Sequence, residues 1–332
     1  MQEKMLEPWV LDTMQELGSA APFGENGRVQ LGLAFDSFFL PKEVVLSIFS
    51  QAKSLGIKTI TSHCVRNAQL SWSSLPSLLD SYGLLDESIL LSHASNTTPE
   101  DAALIRKTNA HVSSTPSTEL QMAHGTPVCF QESLKEMQPQ CSLGIDCHSN
   151  NSSSIPGEMR LALQSARDEY NQKFILKGKA PRKVKNTVEE AFNFGTILGA
   201  RAIGMEGQIG SIEPGKLADL TIFDALSPSM VCAAEHDPVA AIVLHSQPGD
   251  IHIVIVDGKI RKCDGSLVPI QVNAGAKRVA GKTELDWNDV AKELLRSRKS
   301  LQKKIDELDF DHVRQAIIRN FHINEADIVD KV

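Results

Sequence analysis

The sequence predicts an α/β fold on a parallel sheet, followed by a small β module and a helical tail, and three observations carry that reading. From residue 28 onward, short β-rich runs alternate with stretches of helical apolar spacing, which is how parallel α/β sheets are written. Around residue 210 this gives way to short alternating strands with an Asp257-Gly258 hairpin turn. After residue 280 the chain becomes charged and helical. A length of 332 residues suits about two domains, or one large barrel with an appendage.

The elements follow in order. The first run, RVQLGLAFD at 28–36, is entered through a turn at Gly24 and Gly27. LPKEVVLSIFSQAKSLG at 40–56 is a helix with Pro41 near its first turn. IKTITSHC is a strand ending in His63 and Cys64, SLPSLLDSYGLL a helix, and SILLSHAS a strand that carries His93 near its end. TPEDAALIRKTN is a helix with Thr98 and Asp101 at capping-box spacing. AHVSSTP at 110–116 and CSLGIDCHS at 141–149 read as strands, and residues 149–154 as a loop. GEMRLALQSARDEYNQ is an amphipathic helix, and TVEEAFNFGTILGARAIG is one further helix opened by Thr187 and Glu190. Beyond 210, GSIEPGKLADLTIFD, AAIVLHS and DIHIVIVDGKIRK read as short strands, with His245 and His252 as structural histidines. The tail is an amphipathic helical extension in which Trp287 and Leu294 are expected to anchor a helix on the outer wall of the first domain.

Composition excludes several classes of function. Lys plus Arg number 34 against 41 Asp plus Glu, a net charge of −7, which is the wrong sign for a nucleic-acid footprint. Hydrophobic residues at 42% and charged residues at 23% describe a chain that folds rather than one that stays disordered. The N-terminus is acidic and broken by Pro8, unlike a signal peptide, and no uncharged apolar run approaches the roughly 18 residues that cross a bilayer. A cytoplasmic protein without a membrane partner is expected. Its six cysteines lack CxxC pairing and are expected to be thiols, mostly small apolar core residues.

Four successive strands end in polar chemistry: His63, His93, the Ser117 and Glu119 pair just past Pro116, and Asp146 with His148. In parallel α/β barrels the reactive groups sit at the carboxyl ends of the strands, because each strand delivers a side chain to a common rim. Neutral imidazoles with a carboxylate suit a divalent ion such as zinc, which lowers the pKa of bound water to about 7. Alternation along an extended strand would point His148 to the same face as Asp146, making it an extra ligand.

The segments LLSHASNTTPEDAALIRKTNAHVSSTPSTELQMAHGTPV, LGIDCHSNNSSSIPGEMRLALQSARD, TVEEAFNFGTILGARAIGMEGQIGSIEPGKLADLTIFD and IHIVIVDGKI resemble the amidohydrolase superfamily of metal-dependent hydrolases, in its cytosine-deaminase and chlorohydrolase-like branch. The match runs from roughly residue 28 to 265, and GSIEPGKLADL followed by VIVDGKI is its most specific phrase. The resemblance implies an incomplete TIM-type (β/α) barrel at 1–209, a small β-sandwich remnant at 210–275 and a C-terminal helical extension at 276–332. It further implies a divalent metal, zinc first and iron as the alternative. Carried over, His63 is a metal ligand and His93 binds metal or steadies the attacking water and the tetrahedral intermediate. Asp146 is both ligand and general base. The implied reaction is deamination, or amide or ring hydrolysis, of a small heterocyclic or amide substrate.

The chain departs from the family pattern in two places. It has no His-x-His pair, and no histidine precedes His63. It therefore reads as the later part of a barrel, with a sheet edge that invites a second copy of the chain. At Arg66, many family deaminases carry a glutamate that shuttles protons. A guanidinium cannot act as an acid at neutral pH, so Arg66 is expected either to bind an anionic substrate group or to play a surface or structural role. Glu119 is the substitute proton carrier, Ser117 faces the same rim, and Asn150 shapes the following loop and touches substrate. The competing expectation is a catalytically degenerate or truncated relative with a structural or binding role.

Overall fold

The computed structural model describes residues 7–24, 27–67, 73–273, 275, 279, 281–320 and 323–329. The acidic start read at residues 1–6 and Phe321 of the tail lie outside them. The described residues divide into two compact units, one running to Lys216 and the other from Leu217 onward.

The first unit opens with helix α1 (Pro8–Ala20) and then alternates as the periodicity predicts: β1 (Leu33–Ala34), α2 (Lys42–Ser54), β2 (Ile60–Val65), α3 (Leu75–Ser81), β3 (Ile89–Ser95), α4 (Pro99–Thr108), β4 (His111–Ser114), α5 (Pro116–Gln121) and β5 (Cys141–Leu143). Helices α6 (Ile155–Ile175), α7 (Val188–Phe194) and α8 (Ile197–Ala202) close it. The five strands form one parallel sheet in the order β1-β2-β3-β4-β5, so sequence neighbours are spatial neighbours throughout. Among the described residues the sheet stays open, since β1 and β5 do not pair with each other. The strands are apolar enough to be covered: Ile60, Ile89, Leu91 and Val112 are buried together with Val45 and Phe49 of α2, Leu79 of α3 and Ile105 of α4. Burying each of these large side chains stabilises the fold by about 1.5–3 kcal/mol.

Helix starts follow local chemistry. The Thr98 side chain accepts from Asp101 N at 3.2 Å, as the spacing predicts, but the Asp101 carboxylate turns elsewhere and the box is half made. At α7 both halves of the box are present, Thr187 with Glu190. The segment read as one helix from Thr187 is two, interrupted at Gly195 and Thr196. A Cβ on Gly195 would lie 2.7 Å from Cγ2 of the β-branched Ile155, which has little freedom to yield, so close packing on α6 favours glycine there.

The second unit carries an antiparallel sheet β6-β7-β8-β9, from β6 (Leu220–Phe223), β7 (Ile251–Val256), β8 (Lys259–Cys263) and β9 (Ser266–Leu267). Asp257 and Gly258 join β7 to β8 with φ of 47° and 72°, the left-handed pair that a tight hairpin needs. Helices α9 (Val231–His236) and α10 (Pro238–Ala240) lie between β6 and β7, and the short ladder β10 (Ile270–Gln271) with β11 (Glu284–Leu285) precedes α11 (Trp287–Ile305) and α12 (Phe310–Asn320).

Four expectations need correction. In the first β run only Leu33 and Ala34 form a strand, and Val29 makes an isolated antiparallel bridge to Phe23. AAIVLHS is helical: α10 runs into a π turn at Ala241–His245. A continuous apolar run does not separate strand from helix, and Asp237 settles it by accepting from Val239 N and Ala240 N, with Pro238 at the first position. The strand at 141–149 stops at Leu143. Trp287 and Leu294 are 54% and 57% exposed rather than the buried residues expected.

Candidate functional site

The site is built at the carboxyl ends of β1, β2 and β3. On β2, Ile60, Ser62 and Cys64 are buried, while His63 points the other way and stays exposed. Its ring is fixed from β1. Asp36, two residues past that strand, takes the His63 ring Nδ1 at 2.7 Å and the His63 backbone N–H at 2.9 Å, and Ser62 Oγ donates to it at 2.8 Å.

His93 reaches the same place by a different route. In the parallel register it pairs with Cys64, which would put it on the covered face of the sheet. The ladder shifts at Cys64 and Val65, and His93 and Ala94 adopt left-handed backbone with φ of 71° and 52°. Two such residues in succession, neither glycine, cost about 1–3 kcal/mol each, and strain of this kind concentrates at functional sites. With that backbone the His93 ring stacks on His63 at 5.8 Å between centroids, 22° between planes.

Behind His93 lies a buried polar cluster. Thr115 Oγ1 is 2.8 Å from His93 Nδ1, and Glu119 Oε1 is 3.6 Å from the same nitrogen. Glu119, from the first turn of α5, is fully buried and accepts from Ser114 Oγ at 2.8 Å and Thr115 N at 2.6 Å. Both imidazoles are thus engaged through Nδ1, which leaves Nε2 of each for a ligand.

Electrostatics follow this geometry. The Asp36 hydrogen bond raises the His63 pKa against the opposing effect of burial, and the charges of Asp36 and Asp146 add to it. Burial pushes the Asp36 carboxyl up, but its bonds from His63 and Ser62 outweigh that and leave it below the ordinary carboxylate value.

Sequence reasoning missed two members. Asp36 ends the run RVQLGLAFD as His63 ends the next, so the strand-end rule could have found it. His124 follows the short helix α5 and gave no such signal. Its ring sits edge-on to His93 at 5.5 Å, and Asn96 Nδ2 donates to its backbone carbonyl at 3.2 Å. Burial lowers its pKa. The His93 charge lowers it further, Glu119 and Asp146 raise it, and His63 lowers it.

The remaining candidates lie elsewhere or are occupied. The Arg66 guanidinium donates to the buried Asp101 carboxylate at 2.7 Å, and Asp101 also binds Ser74, so Arg66 serves the packing of α4 rather than an anionic substrate. Ser117 donates its backbone N–H and hydroxyl to buried Glu158 at 2.9 and 2.5 Å. Burial raises the Glu158 pKa, and the neighbouring Glu119 charge raises it further. Asp146, with φ of 62°, Cys147 and His148 are exposed in the segment after β5. Because that strand ends at Leu143, alternation does not hold His148 beside Asp146, and His148 Nδ1 is instead 3.0 Å from Ser153 Oγ. Asn150 Nδ2 donates to Met122 Sδ at 3.2 Å.

Zinc or iron was expected between His63, His93, Asp146 and His148. Among the described residues no three His, Cys, Asp or Glu side chains form a group that could hold a metal ion. The two imidazoles meet; the Asp146 carboxylate acts on His63 only through its charge. The described residues by themselves therefore do not fit a metal centre.

A family model described as the amidohydrolase family matches residues 52–261. The chain is 30% identical over 195 residues to a 5'-deoxyadenosine deaminase of Methanococcus vannielii, covering 58% of this chain and 42% of that protein. It is 26% identical over 269 residues to a 5-methylthioadenosine/S-adenosylhomocysteine deaminase of Acetivibrio thermocellus, covering 76% and 59%. Among solved structures, an adenosine deaminase from Xanthomonas campestris with bound zinc superposes with a TM-score of 0.59 at 21% identity, over 70% of this chain and 51% of that one. Atrazine chlorohydrolase from Arthrobacter aurescens, complexed with zinc, gives 0.63 at 16% identity, over 77% and 56%. The chain thus spans about half the length of the proteins it matches.

Proposed function

The chain belongs to the amidohydrolase family, and from that premise we propose that it serves the hydrolysis of a C–N bond in a small heterocyclic or amide substrate. The stacked His63 and His93 rings, each held through Nδ1 at the carboxyl rim of a parallel sheet, carry the proposal. In this reading water adds to the substrate carbon and its proton passes to the Asp146 carboxylate, while His93 Nε2 accepts a hydrogen bond from the attacking water and steadies it. The proton returns to the departing nitrogen, so water and substrate give a carbonyl and ammonia or an amine. His63, held by Asp36, orients the substrate from the next strand.

The reading includes a divalent cation, zinc ahead of iron, and a cytoplasmic setting with a small-molecule substrate. His63 and His93 would offer such a cation one ring nitrogen each. With no third ligand grouped beside them, no step is derived through it. The names of the similar deaminases and chlorohydrolase direct the choice of substrates to adenosine-type nucleosides and aminotriazines, and aminopyrimidines, as small amino-heterocycles, make the third class.

The test is an ammonia-release screen over those three classes, with and without added zinc, on the parent and on His93→Ala and Asp146→Asn. Release that falls at least a hundredfold in both variants supports the proposal. A folded protein that releases no ammonia from any class in either condition overturns it. A second reading, a family member that no longer catalyses, is favoured by the missing three-ligand group and by Arg66 locked on Asp101 where many family deaminases carry a proton-shuttling glutamate. Elemental analysis separates the two: about one divalent ion per chain for the enzyme, none for the second reading.

A further inference from the structure

Helix α11 carries an apolar seam that the described residues of its own compact unit leave largely exposed. Trp287, Leu294 and Leu301 recur every seven residues and are 54%, 57% and 55% exposed, and Ala291, Arg298 and Ile305 fall at the complementary spacing. Together they make the 3-4 alternation of a coiled-coil interface, with leucine dominating one of its two positions. No residue of α11 is buried. An amphipathic helix in water gains its stability by burying such a stripe, so the seam is a surface awaiting a helix.

Charge selects the occupant and its direction. Within the helix the first half holds Asp289 and Glu293 against one Lys292, and the second half holds Arg296, Arg298, Lys299, Lys303 and Lys304 with no acid. A parallel pair would set the two basic halves side by side and Arg298 against Arg298. An antiparallel pair centred near Arg296 brings every seam position into register: Trp287 opposite Ile305, Ala291 opposite Leu301 and Leu294 opposite Arg298. It sets each basic half against an acidic one, with Asp289 level with Lys303 and Glu293 level with Lys299, and aligns the helix dipoles favourably. The Arg298 stem covers the partner's leucine while its guanidinium reaches outward to water and the neighbouring glutamate.

We infer that α11 is a self-association surface, pairing antiparallel with α11 of a second copy of this chain. The helix has 19 residues, so the contact is small and the dimer weak and concentration-dependent. The inference is independent of the catalytic proposal.

Sedimentation equilibrium of the full chain over a concentration series gives the first test. The expected result is a rise from monomer towards twice that mass, and a fall of at least tenfold in association constant for Leu294→Asp with Leu301→Asp. Both positions are exposed, so an unchanged circular dichroism spectrum and melting temperature show that the variant is folded. A monomer at every concentration, or a dimer indifferent to the double substitution, overturns the inference. Direction is read by a short bismaleimide reagent, against the background set by Cys147 and Cys232. Ser297→Cys, at the centre, is expected to cross-link to its counterpart, and Asn288→Cys, near one end, is not. Cross-linking of both, or of Asn288→Cys alone, contradicts the antiparallel pairing.

Discussion

The β2–β3 end of the rim and the β5 end offer the same residue types under opposite physical regimes. At β2–β3 the imidazoles are fixed from behind: His63 by Asp36, His93 by Thr115 and the fully buried Glu119, with strained backbone under His93. At β5 the strand stops at Leu143, and Asp146, Cys147 and His148 follow in solvent. The difference teaches that a side chain at a strand terminus becomes a positioned group only where a buried partner holds it. The first region is preorganised; the second supplies a charge.

This contrast is open to attack, most forcefully at the buried ion pair that supports it. Arg66→Met leaves Asp101 charged and 3% exposed with only hydroxyl partners, and is expected to destabilise the fold by about 3 kcal/mol. Urea denaturation checks this. A small loss of stability joined to a large loss of substrate affinity would return Arg66 to the substrate.

Glu119→Ala comes next. It strips the Ser114 hydroxyl and the Thr115 amide of their acceptor in a dry site, at a cost of about 2 kcal/mol, while Asp146→Ala in the exposed loop stays within about 0.5 kcal/mol. Equal losses in the two variants would erase the distinction between the regions.

The Asp36–His63 pair gives a pH signature. His63 has a raised pKa, so its contribution is complete below its ordinary value of 6.5 and is lost as pH rises through the higher folded value. Asp36 has a lowered one, so its contribution is present above the ordinary 3.8 and is lost as pH falls through the folded value. The pair therefore stabilises most between those limits, modestly, because both groups are more than half exposed. Asp36→Asn is expected to return the His63 titration, followed by proton NMR, towards its ordinary midpoint. An unmoved midpoint would remove Asp36 from the site.

The smallest effect is expected at Asp146 itself. Its φ of 62° favours glycine, so Asp146→Gly should be neutral or stabilising by up to about 1 kcal/mol while removing the proposed proton acceptor. A clear loss of stability would show that the β5 loop is held as firmly as the imidazoles.

Much of this was legible in the sequence. The alternation of strand and helix placed His63 and His93 at neighbouring strand ends, because period-two burial and helical caps are local properties. Asp36 was legible by the same rule. His124 was not, since its position depends on the turn after α5, where Asn96 holds its carbonyl. The facing of Asp146 and His148 was misread because alternation holds only while a strand lasts, and the strand's end is set by pairing with β4 rather than by composition. AAIVLHS was misread because apolar runs carry no period, and Asp237 and Pro238 just before it were the overlooked signal. For Arg66 the choice between substrate and a structural role stayed open, because its partner Asp101 lies 35 residues along the chain.

The claim on which the account turns is that His63 and His93 present Nε2 together. Nitrogen-15 NMR of the histidine rings near pH 8 reads it directly. Both rings are expected to carry their proton on Nδ1, with Nε2 unprotonated and both Nε2 signals shifting together when zinc is added. Protons on Nε2 in either ring, or a response confined to one of them, would contradict the account.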